Sequence, residues 1–350
     1  MARRARIAVV GCGSWAVAAH LPSLAANPDA EVVAIADTNT RNLEYVAERW
    51  GIDAKFADVL GMLASVEPDG VIVATPPDSH AELALMALRA GGHVLVEKPF
   101  VLDPRAGAEV VRVAAEVGRE VILSHPWHFT KQAQEVRQLV STGELGEIQL
   151  ISCTFASDVL AFYRGATDTA LSEGYALAPL RSSYSDPAIA GGGQGQTQLS
   201  HAISLIRFVT GLGATHVACA METLDLRIDV IDAAILRLEN GALATLASTG
   251  AIVPGAPALF HLALFGDRGQ ISWEVRSGVT SIRTQHRSGE LLSPLEEYPR
   301  GQPARNLVDV VLGQDTNRSP ASIGIHTAAI LEAMHRSAGG ETEKFTPVHG

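Results

Sequence analysis

The sequence predicts an α/β protein in two parts: a doubly wound parallel sheet over residues 1–125, then an α+β domain with an antiparallel sheet over residues 126–350. Three observations carry this. At 350 residues the chain exceeds the roughly 100–200 of one ordinary domain. Its first 125 residues alternate strand and helix patterns, as βαβ units do. Its later part places strand patterns in hairpin order.

Residues 6–10 form a short β-branched run that stops at Gly11, and a helical stretch follows over 17–26 with Pro22 in its first turns. Residues 31–36 are the second strand. Residues 39–50 are helical, with Leu43, Val46 and Ala47 at helix spacing. The strand at 70–74 is bounded by Thr75-Pro76-Pro77. Ser79 followed by Glu82 then predicts a capping box at the next helix, which ends at Gly91-Gly92. Strands at 93–96 and 120–123 enclose a helix at 106–117. Beyond 125 come a helix at 132–141, a strand at 147–155 and a long irregular stretch at 156–190 containing Tyr163, Arg164, Tyr175, Arg181 and Tyr184. Loops of that length are usually functional or disordered. Gly191-Gly192-Gly193 leads into a helix carrying His201. Strands at 228–238 and 242–247 flank Asn240-Gly241, a strong hairpin signal, and strands at 259–265 and 270–274 flank a second turn. Helices at 304–312 and 323–337 close the chain, the last of them (about 322–338) packing back toward the first domain.

Composition narrows the class. Net charge is −11 with no long basic stripe, so nucleic acid is not an expected partner. No apolar run approaches the ~18 residues of a membrane span. The basic start (Arg3, Arg4, Arg6) precedes an apolar stretch too short for a signal peptide. Three widely spaced cysteines suggest neither a disulfide framework nor a metal site, and a cytoplasmic location is expected.

The chemistry-bearing motifs fall at strand ends. Gly11-Cys12-Gly13-Ser14-Trp15-Ala16 fits G-x-G-x-x-G/A between a strand and a helix. Gly11 allows the tight turn, Gly13 the approach of a pyrophosphate, and the helix start offers N–H groups to the anion. Asp37 ends the second strand where a carboxylate meets an adenosine ribose. The first 125 residues are therefore expected to be a Rossmann domain binding NAD(H) or NADP(H). Asp37 favours NAD because it repels a 2′-phosphate; Arg41 leaves NADP open. Thr75, Pro76 and His80 follow a central strand where α/β sheets bind ligands; His80 reads equally as a cofactor contact or as a solvated first-turn residue. Glu97-Lys98-Pro99 ends the next strand. There Lys98 points into the crevice and can hydrogen-bond a substrate hydroxyl, while Glu97 tunes it or holds the cofactor.

Taken together, Gly11-x-Gly13, His20, Pro22, Asp37, Thr75-Pro76-Pro77 through His80, and Glu97-Lys98-Pro99 resemble the glucose–fructose oxidoreductase / inositol dehydrogenase / rhizopine-catabolism (Gfo/Idh/MocA) family. Thr142-Gly143-Glu144-Leu145-Gly146, Asp186-Pro187, Gly191-Gly192-Gly193, His201, Glu332-Ala333 and Ser337-Ala338 extend the resemblance over essentially the whole chain. It implies NAD(P)-dependent oxidation or reduction of sugars, inositols and related polyols. It also implies that the C-terminal sheet is large, open and mostly antiparallel and builds a homodimer or homotetramer. Two departures stand out. Thr197 replaces a frequent aspartate four residues before His201, and His128-Phe129 stands where arginine followed by an aromatic is common.

The resulting expectation is a dehydrogenase or ketoreductase without a metal. His201 takes the hydroxyl proton and Lys98 hydrogen-bonds the same oxygen. Gly11, Gly13, Ser14, Trp15, Asp37, Thr75, Pro76, His80 and Glu97 hold the cofactor. Thr197, Gln198, His128 and Tyr184 face the substrate, which sits between the nicotinamide and the second domain's sheet. Tyr163, Arg164 and Arg181 are further candidates. Two rivals are a glycoside-cleaving enzyme that uses NAD in a closed redox cycle, and a non-catalytic NAD(H)-binding sensor.

Overall fold

The computed structural model describes residues 3–166, 177–292, 298–340 and 346–349. The chain divides into two compact units. The first comprises Met1–Pro126, Ala166–Ser183 and Pro299–Ile325, and the second Trp127–Gly165, Tyr184–Tyr298 and His326–Gly350.

The first unit is built on six strands: β1 (Ala5–Val10), β2 (Ala30–Ala36), β3 (Lys55–Phe56), β4 (Gly70–Val73), β5 (His93–Glu97) and β6 (Val121–Ser124). They are all parallel, in the order β3-β2-β1-β4-β5-β6. β4 and β6 are buried along their whole length, as strands covered on both faces must be, which is why they read as unbroken apolar runs. Strand order reverses at the β1/β4 pair, so the loops leaving β1, β4 and β5 share the ligand-binding edge of the sheet. Crossover helices are set by local signals. Asn39 caps Thr40–Trp50 by accepting from the Arg41 and Asn42 N–H groups, and Asp103 caps Pro104–Val117.

Two expectations need correction here. The capping box at Ser79 does not form: its hydroxyl bonds Thr75 Oγ1 and the Pro76 carbonyl instead, closing a 3₁₀ turn before the helix His80–Arg89. The helix Gln302–Val311, which its place in the chain groups with the later domain, packs on β1, β4, β5 and β6, with Leu307 and Val311 over Gly70. Its amphipathic pattern announces that it covers a sheet, but not which one.

The second unit carries a nine-stranded sheet. Its strands are β7 (Ile148–Ala156), β8 (Ala214–Glu222), β9 (Ile231–Leu238), β10 (Leu243–Thr249), β11 (Leu259–Gly266), β12 (Gly269–Glu274), β13 (Val279–Thr284), β14 (Ser288–Leu292) and β15 (Thr346–Pro347). The order is β14-β13-β12-β11-β7-β10-β9-β8-β15, antiparallel except for the central β7–β10 pair. Both predicted hairpins are present, β9–β10 around Asn240-Gly241 and β11–β12. In β9 and β10 buried and exposed residues alternate strictly, so one face is core and the other is open. The irregular stretch contains short helices at Leu160–Tyr163, Ser182–Ser185 and Pro187–Ala190, while Tyr175 lies outside the described residues. Among the described residues no helix is long and apolar enough to cross a membrane.

Candidate active-site elements

In the first unit the loop after β1 is shaped by glycine. Gly11 has φ +92°, and a Cβ there would lie 2.6 Å from the backbone of Ala74 at the end of β4. No other residue fits. Gly13 is the opposite case: a Cβ there would meet nothing within 4 Å, so the backbone presents an open face. Gly13, Ser14 and Trp15 are only partly buried, and the helix that follows opens as a π-helical turn, Ala16–His20. Asp37 joins this loop to β2. Its Oδ2 accepts from the Cys12 N–H at 2.7 Å and its Oδ1 from the Asn39 N–H at 2.7 Å. An ionised carboxylate has about four acceptor positions, so two remain for ribose hydroxyls. Open backbone at Gly13 and acceptor capacity at Asp37 together fit a dinucleotide. Cys12 plays no ionic part, since burial and then the Asp37 charge push its thiol up to about 12.

The β4 and β5 loops are tied together by His80, which is buried rather than solvated. Its Nε2 lies 2.8 Å from the Thr75 carbonyl and its Nδ1 2.8 Å from the Pro99 carbonyl. Burial pulls its pKa down, against those carbonyls and the Glu97 charge. Glu97 is also buried. One oxygen meets His20 Nε2 at 2.8 Å and the other accepts from the Lys98 backbone N–H at 3.1 Å. Burial alone would raise this carboxyl, but the His20 hydrogen bond and charge, Ser124 and the Lys98 ammonium bring it below the usual range. Lys98 sits partly buried beside it; burial lowers its pKa and Glu97 opposes the shift.

In the second unit the glycine run is clamped to the segment before β9. Gly193 and Gly195 N–H groups donate to the two Asp229 carboxylate oxygens at 2.7 and 2.6 Å, and the Gln194 N–H donates to the Asp229 carbonyl at 2.9 Å. A Cβ at Gly193 would lie 1.9 Å from that carbonyl oxygen, so the close approach requires glycine. A second π-helical turn, Gly195–Leu199, follows, and then the helix Ser200–Thr210. Such turns concentrate at functional sites.

Thr197 lies inside this turn. Its hydroxyl donates to the Gly193 carbonyl at 2.8 Å and shares a short hydrogen bond with the Tyr163 hydroxyl. Tyr163 also bonds Gln194 Oε1, whose amide donates to Ser248 Oγ. Burial raises the Tyr163 pKa well above its ordinary value, so it is a neutral phenol. The π turn therefore runs through Thr197 toward His201 in place of one regular helical turn. Within Gln194–His201 only Gln198 is not buried. His201 is 7% exposed, its ring stacked at 6.5 Å on Phe155 of β7.

His128 is a core residue, a correction to its expected substrate contact. It is fully buried, stacked on Phe208 at 4.4 Å, with Nε2 3.0 Å from Ser204 Oγ. Burial pushes its pKa down to about 3. Tyr184 is partly exposed and packs on Phe162, and Arg164 pairs with Asp225 on the surface. Asp229 and Asp232 were not singled out by any sequence pattern. Asp232, in β9, is buried, and burial followed by the Asp229 charge pushes it up to about 8.

Comparison with known proteins agrees with this layout. Residues 5–125 match the oxidoreductase family model with NAD-binding Rossmann fold, and residues 133–272 match the C-terminal domain model of the same Gfo/Idh/MocA group. D-glucoside 3-dehydrogenase of Escherichia coli (strain K12) is 35% identical over 145 residues, 41% of each chain. Inositol 2-dehydrogenase of Rhizobium meliloti (strain 1021) is 27% identical over 39% of this chain and 40% of its own. The chain thus spans less than half the length of these curated relatives. An oxidoreductase domain protein from Kribbella flavida superposes with a TM-score of 0.82 at 18% identity, covering 100% of both chains. Levoglucosan dehydrogenase, complexed with NADH and levoglucosan, superposes with a TM-score of 0.79 at 18% identity, covering 99% of this chain and all of its own. At such identities the superpositions establish the fold.

Proposed function

From a chain that belongs to the Gfo/Idh/MocA oxidoreductase family and carries its NAD-binding Rossmann domain, we propose a dehydrogenase or ketoreductase acting on a secondary hydroxyl of a sugar, inositol or related polyol. The observation that carries this is the Glu97-Lys98-Pro99 loop at the β1/β4/β5 edge, where a buried carboxylate stands beside a lysine whose pKa burial lowers. Such a lysine can donate a hydrogen bond to an alcohol oxygen.

Gly11, Gly13, Ser14, Trp15 and Asp37 hold the dinucleotide, with Thr75 and Pro76 bordering it. Bound there, the nicotinamide accepts or donates the two electrons as hydride. The chain's own work is proton handling. As the substrate C–H bond is lost and the carbonyl forms, Lys98 is assigned the hydrogen bond that stabilises charge developing on the oxygen, and His201 the role of proton acceptor. Gln198, the partly exposed residue of its segment, and Tyr184 contact substrate hydroxyls. The named activities of D-glucoside 3-dehydrogenase and inositol 2-dehydrogenase support this substrate class. We place a homo-oligomer on the open face of the nine-stranded sheet.

The test is a panel of sugars and polyols with NAD, followed at 340 nm, with Lys98→Met and His201→Ala as controls. Each substitution should cost ~10²–10⁴-fold in turnover, the usual value of positioned acid–base help, and leave NAD affinity near normal. Near-normal turnover in His201→Ala would sink the mechanism. Glycoside cleavage with no net absorbance change would select the closed redox cycle instead.

A further inference from the structure

His20 has no part in the proposed proton transfers, yet it is fully buried and held against the lysine loop. Its Nε2 meets Glu97 Oε1 at 2.8 Å, and Glu97 Oε2 accepts from the Lys98 backbone N–H at 3.1 Å. A carboxylate only accepts, so Nε2 carries the proton. Nδ1 is buried with no hydrogen-bond partner among the described residues. The geometry therefore describes His20 donating from Nε2 to the Glu97 carboxylate.

We propose that His20 is a positioning residue for Lys98: it pins the Glu97 carboxylate, which fixes the Lys98 backbone and supplies the negative charge beside its ammonium. The inference rests on the reading of Lys98 as the donor to the substrate oxygen. The titratable groups around the loop are His20 from the glycine-loop helix, Glu97 and Lys98 themselves, and His80 holding the Pro99 carbonyl from the next helix. Without the His20 donor, burial at Glu97 is opposed less and the carboxyl's hold on its charge weakens. The anchor on the Lys98 backbone and the counter-charge beside its ammonium weaken together. Because His20 ends the first turn of the helix that follows Gly11–Gly13, one side chain ties the dinucleotide-binding loop to the proton-handling lysine.

The test exploits composition. The sequence contains four lysines, Lys55, Lys98, Lys131 and Lys344, so a [ε-13C]lysine-labelled sample of the full chain gives a spectrum simple enough to assign, with Lys98 identified by its loss in Lys98→Met. We expect Lys98 to titrate below the other three, His20→Leu to move its midpoint further down, and His20→Gln, whose amide can still donate, to restore it in part. Glu97→Gln removes the charge directly and serves if His20→Leu fails to fold; it should give the same downward move. An unchanged Lys98 midpoint in folded His20→Leu or in Glu97→Gln overturns the proposal. In turnover, His20→Leu should lose up to ~10²-fold in kcat, the scale of a small misplacement, with KM for substrate little altered. The two readings fail separately. Full turnover in Lys98→Met removes the role given to Lys98 while the titration still decides the His20 link, and an inactive Lys98→Met with an unmoved midpoint removes His20 alone.

Discussion

Asp37 uses both carboxylate oxygens on its own backbone before any ligand arrives, one on Cys12 and one on Asn39. The remaining acceptor positions suit ribose hydroxyls, and the fixed charge opposes a phosphate. NAD(H) should therefore bind about tenfold or more tightly than NADP(H), since like charges brought together cost several kcal/mol. Calorimetric titration of both cofactors checks this, and tighter NADP(H) binding would remove Asp37 from the ribose role. Asp37→Ala should narrow the ratio chiefly by weakening NAD(H), because it also releases the Cys12 N–H. At this scale the sequence was legible wherever chemistry is local. Gly11, Gly13 and Asp37 are recognisable because one turn dictates their spacing, and Glu97-Lys98-Pro99 because it ends a strand. His20 and Asp229 were not legible as partners: each acts on residues far along the chain, and no spacing rule connects 20 to 97 or 193 to 229.

Elements explain the harder cases. The helix bearing His201 starts where Asp229 grips Gly193 and Gly195, and Asp229 lies next to a second buried carboxyl in β9. Burial and the neighbouring Asp229 charge keep Asp232 protonated, so the two carboxyls carry one negative charge at the start of that helix. The linkage has a definite sign. Asp232 ionises near 3.8 when unfolded and about 8 when folded. Between those values the folded state binds the extra proton, so this contribution is fully present below about pH 4 and fades as pH rises to about 8. Asp232→Asn mimics the neutral form and does not titrate. Thermal melts from pH 5 to 9 should show a flatter pH dependence in the variant, and a melting temperature several degrees above the native chain's at the alkaline end. Superimposable pH profiles would contradict the shifted carboxyl. The element patterns themselves were read well where period and punctuation agree, as in the βαβ run and both hairpins. β8 and β13–β15 went unassigned. β8 mixes Cys219, Ala220 and Met221 with no clean alternation, and β15 is only two residues long. The π turns were invisible because their composition does not differ from that of α-helix.

The second unit's sheet leaves one face open, and register shows what that face presents. Leu243 pairs with Leu150, Thr245 lies between Ile235 and Ser152, and Thr249 lies between Ile231 and Ala156, which in turn pairs with Leu259. Leu150, Ile231, Ile235, Leu243, Leu259 and Val279 are each 38–44% exposed. Isolated exposed apolar residues need no explanation, but a contiguous ladder of them with few charges calls for a cover. A second copy of the chain supplies one most economically, because a flat self-complementary face pairs through two-fold symmetry. Light scattering at micromolar concentration should report a dimer or tetramer, and a monomer would refute the assignment. In an isologous interface the residues near the axis meet their own copies. An acid introduced there faces an identical acid, and the central strands β7 and β10 are where the axis should fall. Thr245→Glu, with Ile235→Glu beside it, should therefore shift the mass toward monomer while leaving the circular dichroism of the sheet unchanged. Loss of the folded spectrum would instead mean that these side chains stabilise the unit itself. An unchanged mass in a folded double variant would move the interface to another surface.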